Sequence, residues 1–141
     1  MRGVRRPPRA VILAAAIVVG LYLAALAALY VAQRDLMFLP AGESMQPADA
    51  GLPQAEPLDI RTLDGERLRV WHIAPRPGRV VFLYFHGNAG SLADRAATFR
   101  ALTARGDGLL ALSYRGYPGS TGSPSEDGLA RDADALYAQA Q

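Results

Sequence analysis

Residues 79–91 read RVVFLYFHGNAGS, and the two halves of that stretch set the expected fold. Val80 to Phe85 is an unbroken apolar run, bounded by Pro77-Gly78 before it and by Gly87 and Gly90 after it. A run of that length between turn residues reads as a strand buried on both faces, as in a parallel sheet. His86-Gly87-Asn88-Ala89-Gly90 then makes a tight turn from strand to helix. Backbone N–H groups in such a turn are left free to face negative charge. A rival reading of the same glycines is a sharp turn and nothing more.

Downstream, Ser91-Leu92-Ala93-Asp94 has the form of a capping box, with Ser91 at the N-cap and an acid three residues on. Leu92, Ala96, Phe99 and Leu102 recur at helical spacing, and Arg105-Gly106 closes the helix. Gly108 to Tyr114 is a second short apolar strand. Strand, helix, strand in that order makes a βαβ unit whose strands are parallel. A Gly, Pro and Ser-rich loop spans Arg115 to Gly122. Ser123-Pro124-Ser125-Glu126 then signals another helix start, with proline at the first helical position. Leu129, Ala133, Leu136, Tyr137 and Ala140 mark its apolar face.

Upstream, Leu58 to Leu63 and Leu68 to Ile73 alternate apolar and polar residues around Asp64-Gly65, a two-residue hairpin turn signal. They read as an antiparallel pair with one solvated face, with His72 on the polar phase as a structural histidine. Residues 33–57 read as a linker, with a short apolar patch at Asp35 to Pro40. The stretch 10–32 carries no formal charge and is long enough to cross a bilayer core of roughly 30 Å as a helix. Arg2, Arg5, Arg6 and Arg9 precede it in a basic tail, residues 1–9, so the positive-inside bias puts the N-terminus in the cytoplasm and the rest outside. A cleaved signal peptide is the alternative, since Ala25-Leu26-Ala27 has a small-x-small form. The apolar run is longer than a usual signal core, which favours an uncleaved anchor and makes the lipid bilayer an expected partner through residues 10–32.

The net charge of +2 is a property of that tail, because 4 of the 15 basic residues lie in it and the remainder meet 13 acids. No arginine cluster interleaved with aromatics follows, so nucleic acid is not an expected partner. All basic residues are arginine, which excludes P-loop and Schiff-base lysine chemistry, and the absence of cysteine excludes disulfides, thiolate catalysis and zinc–cysteine sites. No metal and no cofactor are expected.

His86-Gly87-Asn88-Ala89-Gly90, then a helix, then Ser113-Tyr114-Arg115-Gly116-Tyr117-Pro118-Gly119-Ser120-Thr121-Gly122-Ser123-Pro124-Ser125-Glu126-Asp127-Gly128-Leu129 with Asp132, closely resembles the α/β-hydrolase superfamily. The likeness is greatest to its single-pass, membrane-anchored serine hydrolases of the α/β-hydrolase domain-containing type. Those also carry a Gln-x-x-Leu-x-x-x-Pro-like patch, here Gln33 to Pro40. The resemblance implies an α/β fold with an N-terminal transmembrane helix and the first part of the hydrolase sheet over residues 58–141: an antiparallel hairpin, then βαβα. It implies that Asn88 and Ala89 are oxyanion-hole backbone donors and that Tyr114 to Pro124 is a loop on the active-site rim. The reaction implied is hydrolysis of an ester, thioester or amide of a small acyl substrate through an acyl-serine. Ser91 departs from the second asparagine usual in that group.

The nucleophile of that family lies in a G-x-S-x-G elbow, with the acid and the histidine after it in chain order. No serine here has glycine at both −2 and +2; Ser120 comes nearest, with Pro118 at −2. His72 and His86 both precede the place of a triad histidine. The chain is therefore expected to be a fragment without nucleophile, acid or base, inactive by itself. In the family's sheet the nucleophile strand flanks Val80 to Phe85, so an open apolar edge is expected there. The alternative function is a membrane-anchored binding module that uses the turn or that edge.

Overall fold

The computed structural model describes residues 8–141. Its elements in chain order are α1 (Arg9–Met37), β1 (Leu39–Pro40), β2 (Glu56–Arg61), β3 (Arg67–Ile73), β4 (Val81–Phe85), β5 (Ala89–Gly90), α2 (Ala96–Thr103), β6 (Gly108–Leu112) and α3 (Glu126–Gln139). The chain divides into one unit ending at Leu36 and a second, Met37–Gln141. In the first, α1 runs beyond the expected 10–32 and buries none of its residues. By length and composition it can cross a membrane. Most of the expected basic tail, residues 1–7, lies outside the described residues.

In the second unit the main sheet has the order β2-β3-β6-β4. β2 and β3 are antiparallel, β3 and β6 antiparallel, and β4 and β6 parallel, with Phe82 opposite Leu109 and Tyr84 opposite Ala111. The βαβ expectation therefore holds, and the fold is the expected α/β arrangement. Helices cover both faces of this sheet. On one face Trp71, Ile73, Leu109 and Ala111 pack with Phe99 and Ala96 of α2; on the other Leu68, Val70, Leu110 and Leu112 pack with Leu136 of α3. That double cover corrects two readings. The hairpin keeps a solvated face in β2, where Pro57, Asp59 and Arg61 are exposed, but not in β3, where Val70 and Trp71, on opposite faces, are both buried. The strand with every residue buried is β6, at the sheet's centre. β4 lies at the edge, where the resemblance put an open apolar strand, and is not buried on both faces, with Val81 40%, Phe82 37% and Phe85 40% exposed. Six apolar residues show that a strand wants cover, but cover depends on neighbours that only the strand order supplies.

Three boundaries also move. The hairpin loop is Leu63-Asp64-Gly65 rather than two residues, because Thr62 N–H still donates to the Glu66 carbonyl, 3.0 Å, and Gly65 N–H closes on the Thr62 carbonyl, 3.0 Å. Gly65 sits at φ +94°, the left-handed position that completes such a three-residue turn. α3 begins two residues later than expected: Ser125, not Ser123, is the N-cap, its Oγ accepting from Gly128 N–H at 3.2 Å. The later part of the expected linker 33–57 is packed, with Leu52 0% exposed and Ala55 buried against the α2 face. Pro47 and Pro53 shape this segment into turns, in which burial follows no helical or strand period that sequence inspection detects.

Candidate functional site at the carboxyl ends of the parallel strands

In open α/β sheets ligands sit outside the carboxyl ends of the parallel strands. Two segments leave those ends here: residues 86–90 from β4 and residues 113–122 from β6. The structure brings them together. Tyr117 Oη donates to the Asn88 carbonyl at 2.6 Å, and the His86 ring lies edge-on between Tyr114 and Tyr117, with centroids 4.9 and 4.7 Å away.

His86 is buried, and its Nδ1 meets the Gly87 carbonyl at 2.6 Å while its Nε2 faces Tyr114 N–H at 3.5 Å. Those partners require a neutral ring with hydrogen on Nδ1. Burial pushes His86 below the ordinary histidine value of 6.5, against the Gly87 bond, which raises it. A histidine held neutral on folding adds stability fully above the unfolded value and loses it as pH falls through the window below 6.5. Asp64 and Asp94 are also lowered, from 3.8, so their losses begin only in stronger acid. The midpoint of thermal unfolding should therefore drop between pH 7 and pH 5, and His86→Phe should flatten that segment of the profile. An equal slope in the variant would assign it to another group.

The turn itself is fastened by a segment far from it in the chain. β1 and β5 form a two-residue parallel ladder, Leu39 opposite Ala89 and Pro40 opposite Gly90. Leu39 N–H donates to the Asn88 carbonyl at 2.8 Å, and Asn88 Nδ2 donates to the Met37 carbonyl at 2.7 Å. Gly90, at φ +81°, is the position that needs glycine, since a Cβ there would lie 2.5 Å from Asp94 Oδ2. Gly87 has open space where its Cβ would be, so no protein atom demands glycine there. Asp94 Oδ2 accepts from Ser91 N–H at 2.7 Å and from Ser91 Oγ at 3.0 Å, the acid's half of the capping box. The Ser91 hydroxyl caps nothing, and the helix opens with a 3₁₀ turn, Ala93–Arg95.

Asn88 and Ala89, the two candidate donors, are thus adjacent on the turn at the carboxyl end of β4. The Asn88 N–H meets no acceptor among the described residues, and the parallel register with Leu39, whose N–H bonds the Asn88 carbonyl, leaves the Ala89 N–H on the side away from β1, where β5 has no strand partner. Ser120 is occupied otherwise: its Oγ donates to the Ser113 carbonyl at 2.7 Å and accepts from Arg69 N–H at 2.9 Å. With Thr121, whose N–H donates to the Arg67 carbonyl at 2.9 Å, it stitches the rim loop along β3. Its hydroxyl is a structural bond, with no base beside it.

Sequence inspection also missed what anchors that loop. The buried Arg115 donates from Nε to Asp132 Oδ1, 2.8 Å, and from its backbone N–H to Asp132 Oδ2, 2.8 Å. Its fork meets Asp64 at 2.9 and 3.1 Å, and Arg131 reaches the same carboxylate at 2.9 Å. These bonds hold the Asp64 carboxyl well below the usual carboxylate range, Arg115 first, then Thr62 and Arg131. The one sequence signal was a charged residue at each of those positions in otherwise turn-like or apolar surroundings. Among the described residues no His, Asp and Glu cluster could hold a metal ion. A concavity of about 620 Å³ between β2 and α3 is lined by Asp59, Arg61, Arg131 and Asp134 among others and by no residue of the turn.

A mixed sheet with helices on both faces, an antiparallel first pair and a glycine turn leaving a parallel strand is an α/β-hydrolase arrangement. An esterase from Pyrococcus furiosus, Pf2001, superposes with a TM-score of 0.58 at 22% identity over 73% of this chain and 40% of its own. An α/β hydrolase from Vibrio vulnificus gives 0.51 at 30% identity over 60% of this chain and 29% of its own. No family model matches. Protein Rv2307c of Mycobacterium tuberculosis is 40% identical over 106 residues, 73% of this chain. The α/β hydrolase domain-containing protein WAV2 of Arabidopsis thaliana is 31% identical over 124 residues, and the lysophosphatidylserine lipase ABHD12 of Danio rerio 29% identical over 113. The chain belongs to the α/β-hydrolase superfamily, within its α/β-hydrolase domain-containing group. It spans 37% of the length of Rv2307c, 40% of WAV2 and 30% of ABHD12.

Proposed function

We propose that this chain supplies the oxyanion side of a membrane-anchored serine hydrolase acting on esters, thioesters or amides. One observation carries the reading: the Asn88 N–H, without an acceptor among the described residues, and the adjacent Ala89 N–H, on the side away from β1, lie on a turn whose carbonyls are tied down at the carboxyl end of β4. An acyl transfer needs such donors where the carbonyl oxygen becomes an oxyanion, and losing one costs on the order of 10²–10³ in rate. The nucleophile, acid and base are not among these residues. The 141-residue chain, purified in detergent, should therefore leave a small activated ester unhydrolysed, while a form that also carries a G-x-S-x-G strand turns it over. Turnover by the 141-residue chain that disappears in Ser120→Ala would sink this reading. The name of the ABHD12 relative makes lysophospholipids the first lipid substrates to try.

In this proposal residues 10–32 anchor the protein, with residues 1–9 in the cytoplasm and the hydrolase part, 58–141, outside it. A reporter fused after Gln141 is expected to be active only on the extracytoplasmic side; activity in the cytoplasm would reverse the orientation. A second reading, a binding module, draws on the apolar edge of β4, whose outer side pairs with no strand among the described residues. It predicts a clean ester-hydrolysis null in every longer form.

A further inference from the structure

We propose that Tyr117 is a positioning residue for the candidate oxyanion turn, setting the direction of the Ala89 N–H from behind. A trans peptide is planar, so its C=O and N–H point in opposite directions. The peptide joining Asn88 to Ala89 therefore presents its N–H away from whatever holds its carbonyl. Two donors hold that carbonyl, Leu39 N–H at 2.8 Å and Tyr117 Oη at 2.6 Å, which together use both lone pairs. The parallel register with Leu39 turns the Ala89 N–H away from β1. Tyr117 is 2% exposed, so water does not replace its hydroxyl, and the ring is set by its edge contact with His86. The phenol is protonated, and so a donor, at neutral pH; burial raises it above its ordinary value of 10, against a Leu39 N–H contact that lowers it. The neighbouring peptide is treated in the same way: His86 Nδ1 holds the Gly87 carbonyl and so directs the Asn88 N–H. The rim loop after β6 thus aims a donor on the turn after β4. Any role in turnover rests on the oxyanion reading above; the geometry does not.

The test uses the full ¹⁵N-labelled chain in detergent micelles, with and without Tyr117→Phe. The expected result is a changed N–H residual dipolar coupling at Ala89 and amide exchange at Leu39 faster by about tenfold or more. The β6 amides of Leu110 and Ala111 keep their values. An unchanged Ala89 coupling overturns the proposal, as does an equal change in β6, which would mean loss of the fold alone. Should the variant not fold, the wild-type chain labelled at Tyr117 Cζ decides: two resolved resonances in mixed H₂O and D₂O report a slowly exchanging, bonded hydroxyl, and one averaged resonance overturns it. In a form carrying the nucleophile strand, Tyr117→Phe should lower kcat with KM unchanged. A moved Ala89 coupling with unaltered kcat would keep the positioning role and overturn the oxyanion reading instead.

Discussion

Arg115→Leu should lower the stability of the folded unit by about 3–5 kcal/mol, the loss typical when one partner of a buried ion pair is removed. Asp132 is the reason. It is 0% exposed, and Arg115 supplies both its charge partner and, through Nε and the backbone N–H, two of its hydrogen bonds. Without the guanidinium a carboxylate stays in the core with a single backbone donor. Asp64 adds little, since it is partly exposed and keeps Arg131. Arg115→Lys should recover only a fraction, because a point charge cannot meet two carboxylates as a planar fork does. Replacing both residues, Arg115→Leu with Asp132→Leu, should be less damaging than Arg115→Leu alone. Urea unfolding followed by the fluorescence of Trp71, the single tryptophan, measures all of these. A double variant as unstable as the sum of the two single ones would show that the pair is not coupled.

Phe99→Ala should cost about 3–5 kcal/mol, as for other large aromatic truncations in a core. Phe99 is fully buried and meets Trp71 and Tyr84 edge-on, with ring centroids 6.1 and 4.9 Å away. α2 has only 8 residues, too few for a helix to hold its shape without docking. Phe99 is the largest buried side chain that docks it. The variant should lose amide protection along α2 before it loses the sheet, which hydrogen exchange reads directly, whereas Phe99→Leu should lose less than half as much. Circular dichroism serves here in place of fluorescence, since the substitution removes a neighbour of Trp71.

Elements whose pattern is local were legible without coordinates. The apolar run from Val80 to Phe85, the hairpin around Asp64-Gly65, the helix of Leu92 to Leu102 and the parallel pairing of β4 with β6 all follow from side-chain period, turn residues and the handedness of a βαβ unit. Boundaries set by competing caps were not legible: Ser123 and Ser125 are equally good N-caps in isolation, and Ser125 wins where Gly128 N–H reaches its Oγ. The turn at His86 to Gly90 was visible as a turn, but its fastening was not. A two-residue ladder such as Leu39-Pro40 with Ala89-Gly90 has no periodicity to detect.

By itself, then, the sequence determined the class of fold, the apolar N-terminal helix and the turn that carries Asn88 and Ala89, because apolar period and glycine placement act over a few neighbouring residues. Tertiary structure alone decided which strand is buried along its whole length, which acids surround Arg115, and that Tyr117 holds the Asn88 carbonyl. Those depend on residues far apart in the chain meeting across the sheet, where burial makes each unpaired polar group costly enough to select one partner.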